Sequence, residues 1–479
     1  MRTTTSVNPR NTMVLNKISK KISYYISILT IIFGSTFGSM NAANAADLVA
    51  SATSANGTNG FIQSGGATSM AAGDTVNMAT FTVTVDEGLD LGTTALGAVT
   101  GTTGTLTLQS TDSSANTAKL TSYVTSGAGN LNILNEAGST STFAVSSAGN
   151  ITTVGGTVTV TADTNTASAT SLIILGVTVG GVGAEFVLDE TGTGTAVLDL
   201  DAASAAQTIT GNINGVGAGE GELKLQGGHA SGNIITGAIG NDASIRLLNA
   251  DVAATFSSTV AATTIDLESD ATFSGNVTAT SVTSNGSGKT VTLNGDITAT
   301  TITIDTASVD ANGDITSNVV LANAAGDLLV SGTADQTLTG TITATNGEGS
   351  LIVTNTAALT VTGQLGTDAA RLLEVTASDA SNVIFQSKMF AETLDIDSNA
   401  ASEYIQITEG NVIGTDSGTA GEIEIATGAV IRLDSAVVDG TTVFDMQEAG
   451  TDDEAFESGG AFTVIPSSSF NSGTVEFIE

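Results

Sequence analysis

The sequence predicts an all-β protein, a parallel β-solenoid (β-helix) of irregular coils of about 20 residues. Three observations predict it. Apolar and hydroxyl residues alternate with period two, as in TFTVTVD (80–86), GTVTVTAD (156–163), DITATTITID (296–305) and ETLDIDS (392–398). Such alternation marks strands with one buried face. Proline, which cannot donate to a sheet ladder, occurs only at Pro9 and Pro466. A short beat returns along the chain: GNITTV from Gly149, GNVTAT from Gly275, GDITAT from Gly295, GDITSN from Gly313 and GTITAT from Gly340. Each beat reads as a Gly-Asn or Gly-Asp corner, then Ile or Val pointing inward and Thr outward. One coil cannot bury its apolar face alone, whereas stacked coils form a continuous core.

A longer repeat overlies the beat. QTITGNING begins at Gln207 and QTLTGTITAT at Gln336, so the interval is 336 − 207 = 129 residues. GEGEL (219–223) answers GEGSL (347–351), TGAIGNDASIRLL (236–248) answers TGQLGTDAARLL (362–373), and TTIDLES (263–269) answers ETLDIDS (392–398). GTLTLQ (104–109) is a weaker echo of GELKLQ (221–226). The modules run over about 207–335 and from 336 to 400 onward. Irregular rung spacing is expected of a solenoid. A set of β-sandwiches is the alternative architecture and would need antiparallel hairpins.

The first 45 residues read as a signal peptide. Arg2, Arg10, Lys17, Lys20 and Lys21 form a basic start, ISYYISILTIIFGSTF (22–37) an apolar segment, and Ala43-Asn44-Ala45 a cleavage site ending at Ala45. The apolar run is too short and too broken by Ser and Thr to span a membrane comfortably. Residues 46–479 would then carry 12 − 5 = 7 basic and 48 acidic groups, a net charge of 7 − 48 = −41. Such a surface repels nucleic acid and anionic lipid. No cysteine is present, which excludes disulfides and thiol catalysis.

Few residues carry chemistry. His229 is the only histidine, so neither a histidine triad nor a multi-histidine metal site can form. Carboxylates two residues apart on a strand share its outer face. Asp199 with Asp201, Asp395 with Asp397, and Asp266 with Glu268 are such pairs. Asp199, Asp201, Asp395 and Asp397 are candidate ligands for loosely held calcium, which takes carboxylate oxygens. The competing reading is solvated charge that keeps a strand-rich surface from aggregating. GVTVGGVGAE (176–185) and GVGAGEG (215–221) read as coil corners, and TDDEAFE (451–457) as an acidic loop.

The signal peptide, the phrase QTITGNINGVGAGEGELKLQG (207–227) and the returning G-[ND]-[IV]-T corner resemble the passenger regions of bacterial autotransporters. The rickettsial outer-membrane surface antigens and similar β-strand-repeat proteins of alphaproteobacteria are the nearest likeness. The resemblance implies a non-enzymatic β-helical rod at the cell surface, serving in adhesion or as a coat. It implies an outer-membrane translocator or anchoring protein as a partner, a host or neighbouring cell as the opposing surface, and no small-molecule substrate. That family normally ends in a translocating β-barrel, whereas this chain ends FNSGTVEFIE without a series of amphipathic ten-residue strands. A longer chain, a barrel-less relative and a separate anchor would each account for that. An S-layer-like lattice assembled with divalent cations and a polysaccharide-active β-helix enzyme are the alternative functions.

Overall fold

A computed structural model describes most of residues 117–397 and, outside that span, mainly strand segments between Leu48 and Ile478. Residues 1–45, including the cleavage site at Ala45, and His229 lie outside the described residues. Every described element is a strand. All strand-to-strand ladders are parallel, and each strand pairs with the strand one coil before it and one coil after it. Antiparallel hairpins, which sandwiches require, are not found among the described strands.

The pairings resolve into three ladders that wrap a single core. Around one coil, Ala271–Phe273 belongs to the first, Val277–Ala279 to the second and Ser281–Ser284 to the third. Several strands, Ile297–Ile304 among them, run round a corner and serve two ladders. The first ladder has eighteen described rungs, from Leu48–Val49 to Ala455–Ser458. At about 4.8 Å per rung those span roughly 80 Å. Ala455–Ser458 is paired strand, which corrects the reading of TDDEAFE as a loop throughout.

The predicted alternation appears as burial. In Ile297–Ile304 the two ends and Ile302 point into the core while Thr298 and Thr300 face out. Ile297, Ile315 and Ile342 expose 2 % or less. Inward positions stack in columns from coil to coil, and the rings of Phe256 and Phe273 stack 4.6 Å apart. Coil length varies around a constant rung geometry. Val277 stacks on Ile297 (297 − 277 = 20) and Ile297 on Ile315 (315 − 297 = 18). Val158 stacks on Phe186 (186 − 158 = 28), so this earlier coil is longer than the predicted 20.

The corner motif has a direct cause. The side-chain oxygen of Asn276 accepts the N–H of Asp296 at 3.1 Å, Asp296 that of Asp314 at 3.0 Å, and Asp314 that of Thr337 at 2.8 Å. Each corner Asn or Asp thus caps a backbone donor of the next coil that the turn would otherwise leave unpaired. The preceding glycines stack as tightly: a Cβ on Gly295 would sit 2.6 Å from the carbonyl carbon of Gly275, and one on Gly313 2.6 Å from that of Gly295. Gly340 leaves this series. Leu338, not Ile342, stacks on Ile315, and Ile342 continues the third ladder on Val319. The GTITAT beat at Gly340 therefore belongs to a different face from the beats at Gly275, Gly295 and Gly313.

That shift is general to the long repeat. Ile209 lies in the first ladder and its counterpart Leu338 in the second. Leu223 lies in the third and its counterpart Leu351 in the first; Ile265 and Leu394 are related in the same way. First-ladder strands begin at residues 208, 233, 254, 271, 290, 308 and 327, so 129 residues advance the chain six coils and one further face. The second copy is turned by one side of the shaft. Local chemistry survives the turn. Gln207 donates to Ile174 O (2.7 Å) and accepts from Ala202 N (3.1 Å); Gln336 donates to Ala311 O (3.2 Å) and Gly313 O (2.9 Å) and accepts from Gly332 N (3.1 Å). Both glutamines are buried, at 0 % and 4 % exposed. Four residues on, Gly211 and Gly340 take φ of 132° and 117°, the left-handed side that glycine adopts without strain.

Candidate functional site

The most unusual chemistry lies on the outer side of the third ladder, where successive strands stack polar residues in two columns. One column runs Asp199, Lys224, Asn249, Asp266. The other, one residue past the end of each strand, runs Asp201, Gln226, Asp251, Glu268, each backbone N–H bonding the strand before it. Neighbours along a column are about 4.8 Å apart, and i and i+2 on a strand about 6.6 Å. Alternation turns these side chains outward, and stacking then sets like charges beside one another.

An ion-pair tie flanks the columns. Arg246 reaches back across two coils, with Nε 3.2 Å from Glu190 Oε2 and Nη2 3.3 Å from Glu222 Oε2. Glu190 is largely buried and also accepts the Ala196 N–H at 3.0 Å. Burial would weaken the guanidinium's hold on its proton, but the Glu190 bond and charge, with Glu222, raise it above its usual range. The tie fixes three consecutive coils. In the second copy Leu373 stands where Arg246 does, because Leu351 stacks on Val375 as Leu223 does on Leu248.

Asp199 departs from the solvated-charge reading. It exposes only 9 %, and its Oδ1 meets no hydrogen-bond partner. Burial pushes its carboxyl up to about 6, against the pull of Lys224 and with the help of Asp201, Glu222 and Asp251. Asp266 is raised by burial and then by the charge of Asp251. Asn249 Oδ1 and Asp266 Oδ1 are also buried without a partner. Asp251 Oδ2 accepts from Gln226 Nε2 at 3.1 Å.

The calcium candidates therefore separate. Asp199 and Asp201 sit on the acidic columns. Asp395 and Asp397 lie in Ala391–Asp397 of the first ladder, opposite Thr376 and Ser378. They are the rotated counterparts of Asp266 and Glu268, which instead face Asn249 and Asp251. Among the described residues, no three carboxylate, imidazole or thiolate groups converge tightly enough to hold a metal ion by themselves. Sequence reasoning missed Asn249, Asp251, Glu190, Glu222 and Arg246. The visible signal was that the pairs 249/251 and 266/268 repeat one coil length apart. No family model, curated protein or solved structure matches this chain.

Proposed function

We propose that the chain is a non-enzymatic, exported cell-surface protein: a β-helical rod, similar to an autotransporter passenger, that acts in adhesion or as a surface coat. The observation that carries this reading is the shaft itself, parallel coils with an aliphatic interior and an exterior of Thr, Asn and Asp columns. Such a body sets a surface at a distance, and its length scales with coil number. The basic-then-apolar start ending at Ala43-Asn44-Ala45 supports export. An outer-membrane translocator or a separate anchor would hold it.

N-terminal sequencing of protein released from intact cells by brief external proteolysis tests the proposal. A mature start at Ala46 and protease access in unbroken cells are expected. An uncleaved chain reached only after lysis would refute it. The S-layer-like lattice is the second reading, favoured by the acidic columns of the third ladder. It requires ordered two-dimensional arrays that dissolve in chelator.

A further inference from the structure

An asparagine followed by glycine carries a latent reaction, because a glycine nitrogen, with no Cβ to crowd it, can reach the asparagine side-chain carbonyl. The described residues include four such pairs: Asn214-Gly215, Asn285-Gly286, Asn294-Gly295 and Asn312-Gly313. Three are held by neighbouring coils. Asn214 exposes 2 %, donates to Glu185 Oε1 at 3.0 Å and accepts the Asp242 N–H at 3.2 Å, and the Gly215 N–H bonds Ala243 O at 3.1 Å. Asn312 Nδ2 donates to Asn294 Oδ1 at 3.0 Å, and Asn312 Oδ1 accepts from Ser331 Oγ at 2.8 Å. Asn285 is exposed, and among the described residues neither its side chain nor the Gly286 N–H meets a hydrogen-bond partner. Its corner also has slack. From the third ladder to the first the chain takes 291 − 284 = 7 residues here, against 271 − 267 = 4 one coil before and 309 − 304 = 5 one coil after. Packing itself demands the glycine, since a Cβ on Gly286 would sit 2.4 Å from Glu268 O.

We propose that Asn285 is a self-modifying site, where the side chain cyclises onto the Gly286 nitrogen and converts to aspartate and isoaspartate while the other three pairs persist. The Gly286 nitrogen gives its proton to solvent and bonds Asn285 Cγ. The Cγ–Nδ2 bond breaks, and Nδ2 takes a proton from solvent and leaves as ammonia. Water then opens the succinimide at either carbonyl, giving aspartate or an isoaspartate whose main chain runs through Cγ. One water is consumed and one ammonia released. The product adds a carboxylate to the outer column of the third ladder. Asn285 N–H bonds Leu267 O at 3.1 Å, as Glu268 N–H bonds Ala250 O, and Asp305 N–H bonds Ser284 O at 2.9 Å. A new charge at 285 therefore stands between Glu268 and Asp305, about 4.8 Å along the column from each, and like charges so placed repel. The inference goes beyond the export reading and holds whether or not the rod is displayed on a cell.

The test incubates the folded full chain at mildly alkaline pH and digests it under acid conditions that halt ring closure. Mass spectrometry follows each Asn-Gly peptide, and enzymatic methylation scores isoaspartate. Asn285 should convert roughly tenfold faster than Asn294 and Asn312, the factor that one ordinary hydrogen bond is worth in rate. Asn214, buried and bonded at both ends of its amide, should be slowest. In urea the four rates should converge, which separates protection by the fold from preference of the local sequence. Asn312→Ala removes the donor to Asn294 and should speed Asn294 conversion while leaving Asn285 unchanged. Equal rates for Asn285, Asn294 and Asn312 in the folded chain would overturn the proposal. So would a folded chain in which Asn285 persists while the urea-unfolded chain converts.

Discussion

Deleting residues 207–335 joins Ala206 to Gln336 and removes one copy of the long repeat. If the repeat is a block of six coils and one face, every later strand must rotate back to the preceding ladder. Leu338 would stack on Val179 as Ile209 now does, Ile342 on Phe186 as Ile213 does, and Leu351 on Leu198 as Leu223 does. Gln336 would take over the bonds of Gln207 to Ala202 N and Ile174 O. Each inward position stays apolar and the corner glutamine stays satisfied, so the shortened chain should fold. Six and one-third coils at about 4.8 Å shorten the shaft by roughly 30 Å. Small-angle X-ray scattering measures that length, and cooperative unfolding with retained β-sheet circular dichroism reports the fold. Deleting 213–335 instead places Gln336 after Asn212, in mid-corner, and should aggregate. An unfolded or aggregated Δ207–335 chain would refute interchangeable faces.

Other outcomes follow from single residues. Gln336→Ala leaves the Gly332 donor and the Ala311 and Gly313 acceptors unserved; urea unfolding should register a loss of about 1–3 kcal/mol. Asp199 binds its proton more tightly folded than unfolded, so its contribution is full below about pH 4 and lost as pH rises through about 6. The shift from 3.8 to about 6 corresponds to roughly 3 kcal/mol at most. Unfolding midpoints should therefore rise on acidification across that window, and Asp199→Asn should flatten the trend. Arg246→Ala strands the largely buried Glu190 and should cost about 1–3 kcal/mol, and Arg246→Lys should recover little because a single ammonium cannot reproduce the guanidinium fork across Glu190 and Glu222. Gly295→Ala forces its Cβ to within 2.6 Å of Gly275 backbone and should destabilise more than Thr298→Ala on the same coil.

The coil was legible because it is local. Alternation in DITATTITID fixes which residues face inward, and the Gly-Asp pair fixes the corner, so Ile297 and Ile315 could be placed in the core from sequence. The face was not legible. All three sides use the same alternating apolar and hydroxyl residues, and only coil-to-coil register tells Leu338 from Ile342. For the same reason the 129-residue repeat is visible in the sequence and its rotation is not. Asp199 reads as outward, between the inward Leu198 and Leu200, yet it is buried, and nothing in the local alternation signals that. The tie from Arg246 to Glu190 spans 56 residues and has no local signature.

The central claim is that distance along the shaft counts coils, not residues. Thr255, Thr272, Thr292, Asp310, Leu329, Ile352 and Thr376 form one outward column of the first ladder. The chain has no cysteine, so pairs of introduced cysteines can be spin-labelled cleanly. Electron dipolar spectroscopy should give separations of about 19, 24 and 29 Å from Thr255 to Leu329, Ile352 and Thr376, a constant step of about 4.8 Å. Steps that vary with the intervening residue number, or a return to short distances as in a hairpin, would contradict the solenoid.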